Sequence, residues 1–323
     1  MSSSLALATP SKAGSHYQSS FKNWDSRSSV RTKPQRDMSS TDGHILFPPE
    51  FVPALAHPLV AARGTAARDL LLTHVLYQYL HFTTVLEQTA VLPVTAQISL
   101  GCSGLSLPEA MRRDAFKITT DEAWHAQFSY DFLHEAARAT GVQPTLLTEP
   151  PFVRRTAEAR DGVEPSVRRL TNLFFAIVSE TLISRILAGI PNDKRLPAPV
   201  RALVADHAAD EGRHHAYFRS FLGYLWPRLS SRERQMFGSR VPEYIQIFLD
   251  PDVTSVIRML REVGLTTGET ALVVAESYPR HDRRLDMRSA ASGTIRAFRD
   301  VGALDDPVIY DAFAAKLITD GYA

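Results

Sequence analysis

The sequence has little of several features that mark common classes of protein. Its single cysteine, Cys102, forms neither an internal disulfide nor a site built from several thiolates. A cytoplasmic location is predicted, because reducing compartments do not favour disulfides. The 36 basic and 35 acidic residues leave a net charge of +1. This balance gives no electrostatic basis for binding nucleic acid or an anionic membrane surface.

Nucleotide-binding glycine loops and long uninterrupted apolar segments are also missing. The 16 glycines are scattered, and none forms a GxGxxG or GxxxxGK pattern. The most apolar stretches, 70–94 and 173–190, are interrupted by His74, Glu87 and Glu180, among others. We therefore predict buried core helices there and no membrane span.

The pattern along the chain predicts an all-α protein, because alternation with a period of two is rare. Residues 1–45 are polar and serine-rich, which predicts an N-terminal tail and arm, with Trp24 packed along the body. Residues 46–323 are predicted to form a single helical domain. Pro93 is expected to end the first long helix, and prolines 144, 150 and 151 to mark a loop. Helices are predicted near 65–91, 108–140, 165–189, 200–225, 231–239, 242–249, 253–263, 283–300 and 306–319.

Two of the four long helices carry the motif Glu-x-x-His. The pairs are Glu122 with His125 and Glu211 with His214, and His207 lies four residues before Glu211. Residues three or four apart lie on one face of a helix. Each motif can therefore offer a carboxylate oxygen and an imidazole nitrogen to the same metal ion.

The other two long helices each place one carboxylate in an apolar run, Glu87 and Glu180. An ionised carboxylate is costly to bury unless it is paired or bound to a metal. One Glu from each of two helices and one Glu-x-x-His from each of the other two is typical of bundles that hold two metals. The residues therefore predict a dimetal site, and carboxylate with imidazole suits iron or manganese.

At these positions the chain resembles the para-aminobenzoate N-oxygenase family of non-haem di-iron oxygenases. The segment Trp24-x-x-Arg27-x-x-Val30-Arg31 with Pro34 is similar to that family's opening segment, and His207 matches its additional histidine. The resemblance implies a ferritin-like bundle with additional C-terminal helices, a homodimer and two iron ions. The ligands that it implies are Glu87, Glu122, His125, Glu180, His207, Glu211 and His214.

The resemblance also implies the reaction. An amine would be oxidised with O₂ to a hydroxylamine, nitroso or nitro product, in the biosynthesis of a secondary metabolite. An unidentified electron donor would supply the electrons. Whether the amine is free or attached to a carrier stays open.

The remaining histidines receive ordinary interpretations. His214 is preferred to His215 as a ligand, because His214 has the three-residue spacing from Glu211. His74 and His81 are interpreted as core or cleft residues.

Three alternatives remain from the ligand pattern alone. The chain could be another ferritin-like di-iron oxidase of the hydroxylase or desaturase type, a ferritin-like redox or storage protein, or a helical protein with incidental motifs. His207 favours the N-oxygenase, and the long segment after Pro227 counts against a storage protein, which needs only the four-helix core.

Overall fold

The computed structural model describes residues 17–41, 43–187, 189–279 and 283–317. The described residues are 75% helical, and no strand occurs among them. The prediction of an all-α fold is therefore confirmed. Within the same ranges, no helix is both long enough and apolar enough to cross a membrane.

The helices of eight or more residues are numbered here in chain order. They are α1 (Gly64–Leu86), α2 (Leu92–Leu100), α3 (Glu109–Thr140), α4 (Pro151–Asp161), α5 (Arg168–Leu187), α6 (Ala198–Leu225), α7 (Ser231–Gly238), α8 (Val241–Leu249), α9 (Val253–Glu262), α10 (Thr267–Ser277), α11 (Arg283–Ala290), α12 (Ser292–Asp300) and α13 (Pro307–Lys316).

The two helices with Glu-x-x-His motifs begin and end where the sequence signals it. Pro108 is the N-cap of α3, and Gly141 ends that helix with a φ of 69° in the left-handed region. Pro197 is the N-cap of α6, and a proline follows in its first turn. Proline suits a first helical turn because the amide it lacks has no intrahelical partner there.

The first long helix does not end at Pro93. A π-helical turn, Glu87–Val91, follows α1 directly, and α2 continues from Leu92. Pro93 lies in the first turn of α2, after a turn that has already changed the hydrogen-bonding pattern. The prediction of a helix end at this proline was therefore wrong.

Besides α2, two further helices that the sequence analysis left out are present. Pro150 and Pro151 start α4, as its N-cap and first residue, where we had predicted a loop. Helix α10 begins with a capping box, in which Thr266 and Glu269 bond to each other's backbone amides. The predicted helix 283–300 is divided at Ala291 into α11 and α12.

The core is a bundle of two helix pairs, α1 with α3 and α5 with α6. The π-helical turn also contacts α5, so it connects the two pairs. Helices α8 and α12 pack on α5, and α9 with α10 packs on the outside of α1. The added C-terminal helices thus surround the bundle instead of extending it.

The described part of the N-terminal arm packs against the body of the protein. Residues 17–41 include two single helical turns, Trp24–Arg27 and Ser29–Thr32, which contact α3 and α6. The Phe21 side chain is fully buried, and that of Trp24 is only 9% exposed. The tail before residue 17 lies outside the described residues.

Candidate metal centre

All seven predicted ligands lie in one buried cluster at the middle of the bundle. Each is fully buried, with 0% of its surface exposed. They form three overlapping groups. Within each group, the donor atoms lie within 4.8 Å of one another. The groups are Glu87, His125, His207 and Glu211; Glu122, His125, Glu211 and His214; and Glu87, Glu122 and Glu180.

The two Glu-x-x-His motifs meet across the interface of α3 and α6. Nδ1 of His125 lies 2.7 Å from Oε2 of Glu122. Nδ1 of His214, from the other helix, lies 2.7 Å from Oε1 of the same carboxylate. Glu122 therefore stands between the two imidazoles, one from each helix.

Several donor atoms of the cluster lack a hydrogen-bond partner. Both carboxylate oxygens of Glu87 and both of Glu180 are buried without one, and so is Nδ1 of His207. Buried polar atoms are normally paired. Burial, followed by repulsion from Glu122 among the nearby carboxylates, raises the pKa of Glu87 well above its usual range. A metal ion would supply the missing partner, so the residues fit one.

The imidazoles divide into two kinds. Burial lowers the pKa of His207, and repulsion from His125 lowers it further, so this ring is neutral. For His125 and His214, burial acts in the same direction, but the Glu122 carboxylate and its neighbours raise their pKa values well above normal. The carboxylates of the cluster thus stabilise positive charge on these two rings.

Two aspartates that the sequence analysis did not assign complete the centre. Nε2 of His214 donates to Asp121 at 3.1 Å, and Nε2 of His125 donates to Asp210 at 3.2 Å. Each bond joins an imidazole on one of the two helices to an aspartate on the other helix. A carboxylate on the far nitrogen fixes the ring and leaves Nδ1 facing the cluster. The available signal was that both motifs read Asp-Glu-x-x-His.

A cavity of about 300 Å³ lies between α1 and the helices added after the bundle. Its walls are mainly apolar, and include Leu71, Val75, Phe82, Phe248, Met259 and Leu260. His81 also lines it and bonds to the carbonyl of Leu147 at 2.8 Å, which agrees with its interpretation as a cleft histidine. His74 is buried in the core, with Nε2 2.6 Å from a carboxylate oxygen of Glu262.

The cavity approaches the metal centre along one face of α1. Tyr79 and Thr83 line the cavity, and Glu87 follows Thr83 by one further turn. The hydroxyls of Tyr79 and Thr83 are buried. Burial, with the charges of Glu211 and Glu87, raises the pKa of the Tyr79 phenol, which therefore stays protonated.

Comparison with known proteins agrees with this geometry. The family model described as "P-aminobenzoate N-oxygenase AurF" matches residues 16–302. A 4-aminobenzoate N-oxygenase from Streptomyces thioluteus is 24% identical over 280 residues, which cover 82% of this chain and 78% of that protein. The region that the family model matches contains all seven predicted ligands, both aspartates and the described part of the arm.

Proposed function

The chain belongs to the p-aminobenzoate N-oxygenase family and is an amine N-oxygenase; we propose that it oxidises the nitrogen of a small aromatic amine by means of two irons, which the buried cluster would hold. The observation that carries this proposal is the convergence of the two Glu-x-x-His motifs with His207, Glu87 and Glu180. Manganese suits the same donors.

The proposed ligands come from four helical segments. We assign Glu87, Glu122, His125, Glu180, His207, Glu211 and His214. When bound, the metals supply the activation of O₂, which protein side chains do not perform. The protein holds seven donors at fixed positions, orients two imidazoles through aspartates and keeps the centre away from bulk water.

The cavity is the proposed amine site. Its volume is at the lower end of the range for ligand pockets, and its apolar walls suit a single aromatic ring. Arg155 lines the cavity, but its Nη1 lies 2.8 Å from Oδ2 of Asp250, so an acidic partner already balances its charge. Since the relative is a 4-aminobenzoate N-oxygenase, 4-aminobenzoate is the first compound to test, together with uncharged anilines.

The overall reaction balances with one O₂ and an external two-electron donor. An amine R–NH₂, O₂, two electrons and two protons give R–NHOH and water. One N–O bond forms, and the O–O bond breaks. Further rounds would give the nitroso or nitro product. The homodimer, the cytoplasmic location and the biosynthetic role stay predictions, and the electron donor is not identified.

The test begins with metal content. Protein produced with iron is analysed for metal, reduced without oxygen, mixed with ¹⁸O₂ and quenched in the presence of each amine. We expect about two irons per chain and ¹⁸O in a hydroxylamine, nitroso or nitro product. The His207→Ala variant is expected to lose this product.

Two other outcomes would contradict the proposal in different ways. Two irons with O₂ consumption but no oxidised nitrogen in any amine would favour another di-iron oxidase. Folded protein that takes up no metal would overturn the assignment of the centre.

A further inference from the structure

The N-terminal arm follows the groove between α3 and α6, the two helices that carry the Glu-x-x-His motifs. Its contacts with α3 advance along that helix as the arm advances. Tyr17 Oη donates to Asp114 at 2.7 Å, Trp24 Nε1 to Asp121 at 2.9 Å and the Met38 amide to Glu135 at 3.2 Å. On the α6 side, Arg36 Nε donates to Asp206 at 2.7 Å.

At the level of the metal centre, the arm bonds to the aspartate that holds His214. Nε1 of Trp24 is 2.9 Å from both carboxylate oxygens of Asp121. One of these oxygens also accepts from Nε2 of His214 at 3.1 Å. The Phe21 ring lies against the same imidazole, with ring centroids 5.9 Å apart and planes inclined by 19°.

A second contact repeats this arrangement on the other side. The backbone amide of Ser29 donates to the two carboxylate oxygens of Asp210, at 3.2 and 3.1 Å. Asp210 accepts from Nε2 of His125 at 3.2 Å and from Arg213. Both aspartates are fully buried, so these donors cannot be replaced by bulk water.

From these contacts we propose that the arm positions the histidines of the metal centre. Trp24 acts on His214 through Asp121, and the Ser29 amide acts on His125 through Asp210. The inference rests on the proposed metal-binding role of those histidines. A carboxylate held by an N–H on one side presents a fixed acceptor to the imidazole on the other. The direction of Nδ1 toward the cluster is thereby fixed as well.

A purely structural role makes a different prediction. If Trp24 only fills space, the ring of Phe in its place would preserve the function. If its N–H acts through Asp121, the Trp24→Phe variant keeps most of the packing but lowers the metal affinity of one site. The matched control is Trp226→Phe, which also removes a buried indole, but one that packs against Phe174 and Phe298.

The Ser29 contact allows a second, independent pair of variants. Ser29 is the first residue of its helical turn, and Ser28 before it is extended, with φ −67° and ψ 144°. Position 29 therefore accepts a proline, because Ser28 has the extended conformation that suits a residue before proline. Ser29→Pro removes the amide proton that Asp210 receives. Ser29→Ala is the control, since it keeps this amide and removes a hydroxyl that has no hydrogen-bond partner.

The readout is titration of the metal-free, full-length protein with Co²⁺, whose absorption bands report ligand geometry. Circular dichroism and thermal unfolding of each metal-free variant show whether it is folded. For Trp24→Phe and for Ser29→Pro, we expect one Co²⁺ affinity to fall by about tenfold or more, with shifted bands. Trp226→Phe and Ser29→Ala should match the wild type.

A double-mutant cycle tests the route of the effect. If Trp24 acts through Asp121, Trp24→Phe should add little to the loss of Co²⁺ affinity caused by Asp121→Asn. Additive losses would contradict positioning through this carboxylate.

The outcomes separate this inference from the proposal on which it rests. Wild-type protein that binds two Co²⁺, with unchanged affinities and spectra in folded Trp24→Phe or in Ser29→Pro, would overturn the role of the arm alone. Equal losses in a variant and its control would also overturn it. Wild-type protein that binds no Co²⁺ would overturn both. If Trp24→Phe does not fold, the Ser29 pair decides the question.

Discussion

His207 and Glu211 lie one turn apart on α6, with Nε2 of His207 3.0 Å from Oε1 of Glu211. The contact places a third imidazole beside a carboxylate that also faces His125 and His214. Burial and the neighbouring His125 lower the pKa of His207, so one of its nitrogens has a free lone pair without the loss of a proton. This is the state in which an imidazole binds a metal.

Replacing His207 by Ala should leave a folded protein with a defective centre. We expect metal affinity to fall by about tenfold or more and N-oxygenation to be lost, because one donor is missing. Metal analysis and product analysis would test this. The control is His215→Ala, at the neighbouring position outside all three donor groups. Full activity of His207→Ala would contradict the ligand role.

Glu87→Gln should separate stability from metal binding. In the metal-free protein, neither oxygen of the buried Glu87 carboxylate has a hydrogen-bond partner. A neutral amide is less costly at such a site, so we expect the free energy of unfolding to rise by about 1 kcal/mol or more. The stabilisation by added Fe²⁺ or Co²⁺ should shrink at the same time. Thermal unfolding with and without metal measures both effects, and unchanged stabilisation by metal would contradict the assignment.

Filling the cavity should weaken amine binding without affecting the metals. Val256, on α9, lines the cavity and is 8% exposed. A Val256→Trp side chain would occupy part of the space, and we expect KM for the amine to rise about tenfold. Its neighbour Ile257 is 42% exposed, so Ile257→Trp is the control. An unchanged KM in Val256→Trp would place the amine elsewhere.

The buried His74 should make stability depend on pH. Burial lowers the pKa of His74, although Glu262 opposes the shift. The unfolded chain therefore binds this proton from about pH 6.5 downward, while the folded protein binds it only at lower pH. The stabilisation is complete above about pH 6.5 and is lost as the pH falls toward the folded value.

Urea unfolding of wild type and His74→Gln at about pH 7.5 and about pH 5.5 measures this contribution. The difference in unfolding free energy between wild type and variant should shrink at the lower pH. His44→Gln, at an exposed position, is the control. An equal difference at both pH values would contradict the prediction.

The site was easier to predict than its surroundings. Glu122, His125, Glu211 and His214 follow from helical spacing, a local property of the sequence. Trp24 indicated a packed arm, but its partner Asp121 is 97 residues away, and no local pattern gives that pairing. The cavity is beyond local patterns for the same reason, since α1, α4, α8 and α9 bring its walls together.

The errors in the helix boundaries also have local causes. Proline both ends helices and suits their first turn, so Pro93 and Pro151 allowed two readings. We chose the wrong one at both positions. The Thr266–Glu269 capping box was a usable signal for α10 that we did not apply.

The π-helical turn at Glu87–Val91 fixes how many residues separate the two halves of this long helical segment. In a π-helical turn the backbone hydrogen bond joins residues five apart, so the turn contains one residue more than an α-helical turn. If the same residues wound as a regular α-helix instead, everything beyond them would be turned by about 100° relative to Glu87. The buried side of α2 would then face away from α3, on which it packs. The wider turn therefore absorbs one residue, and the loss of one residue in this turn should be tolerated better than an insertion.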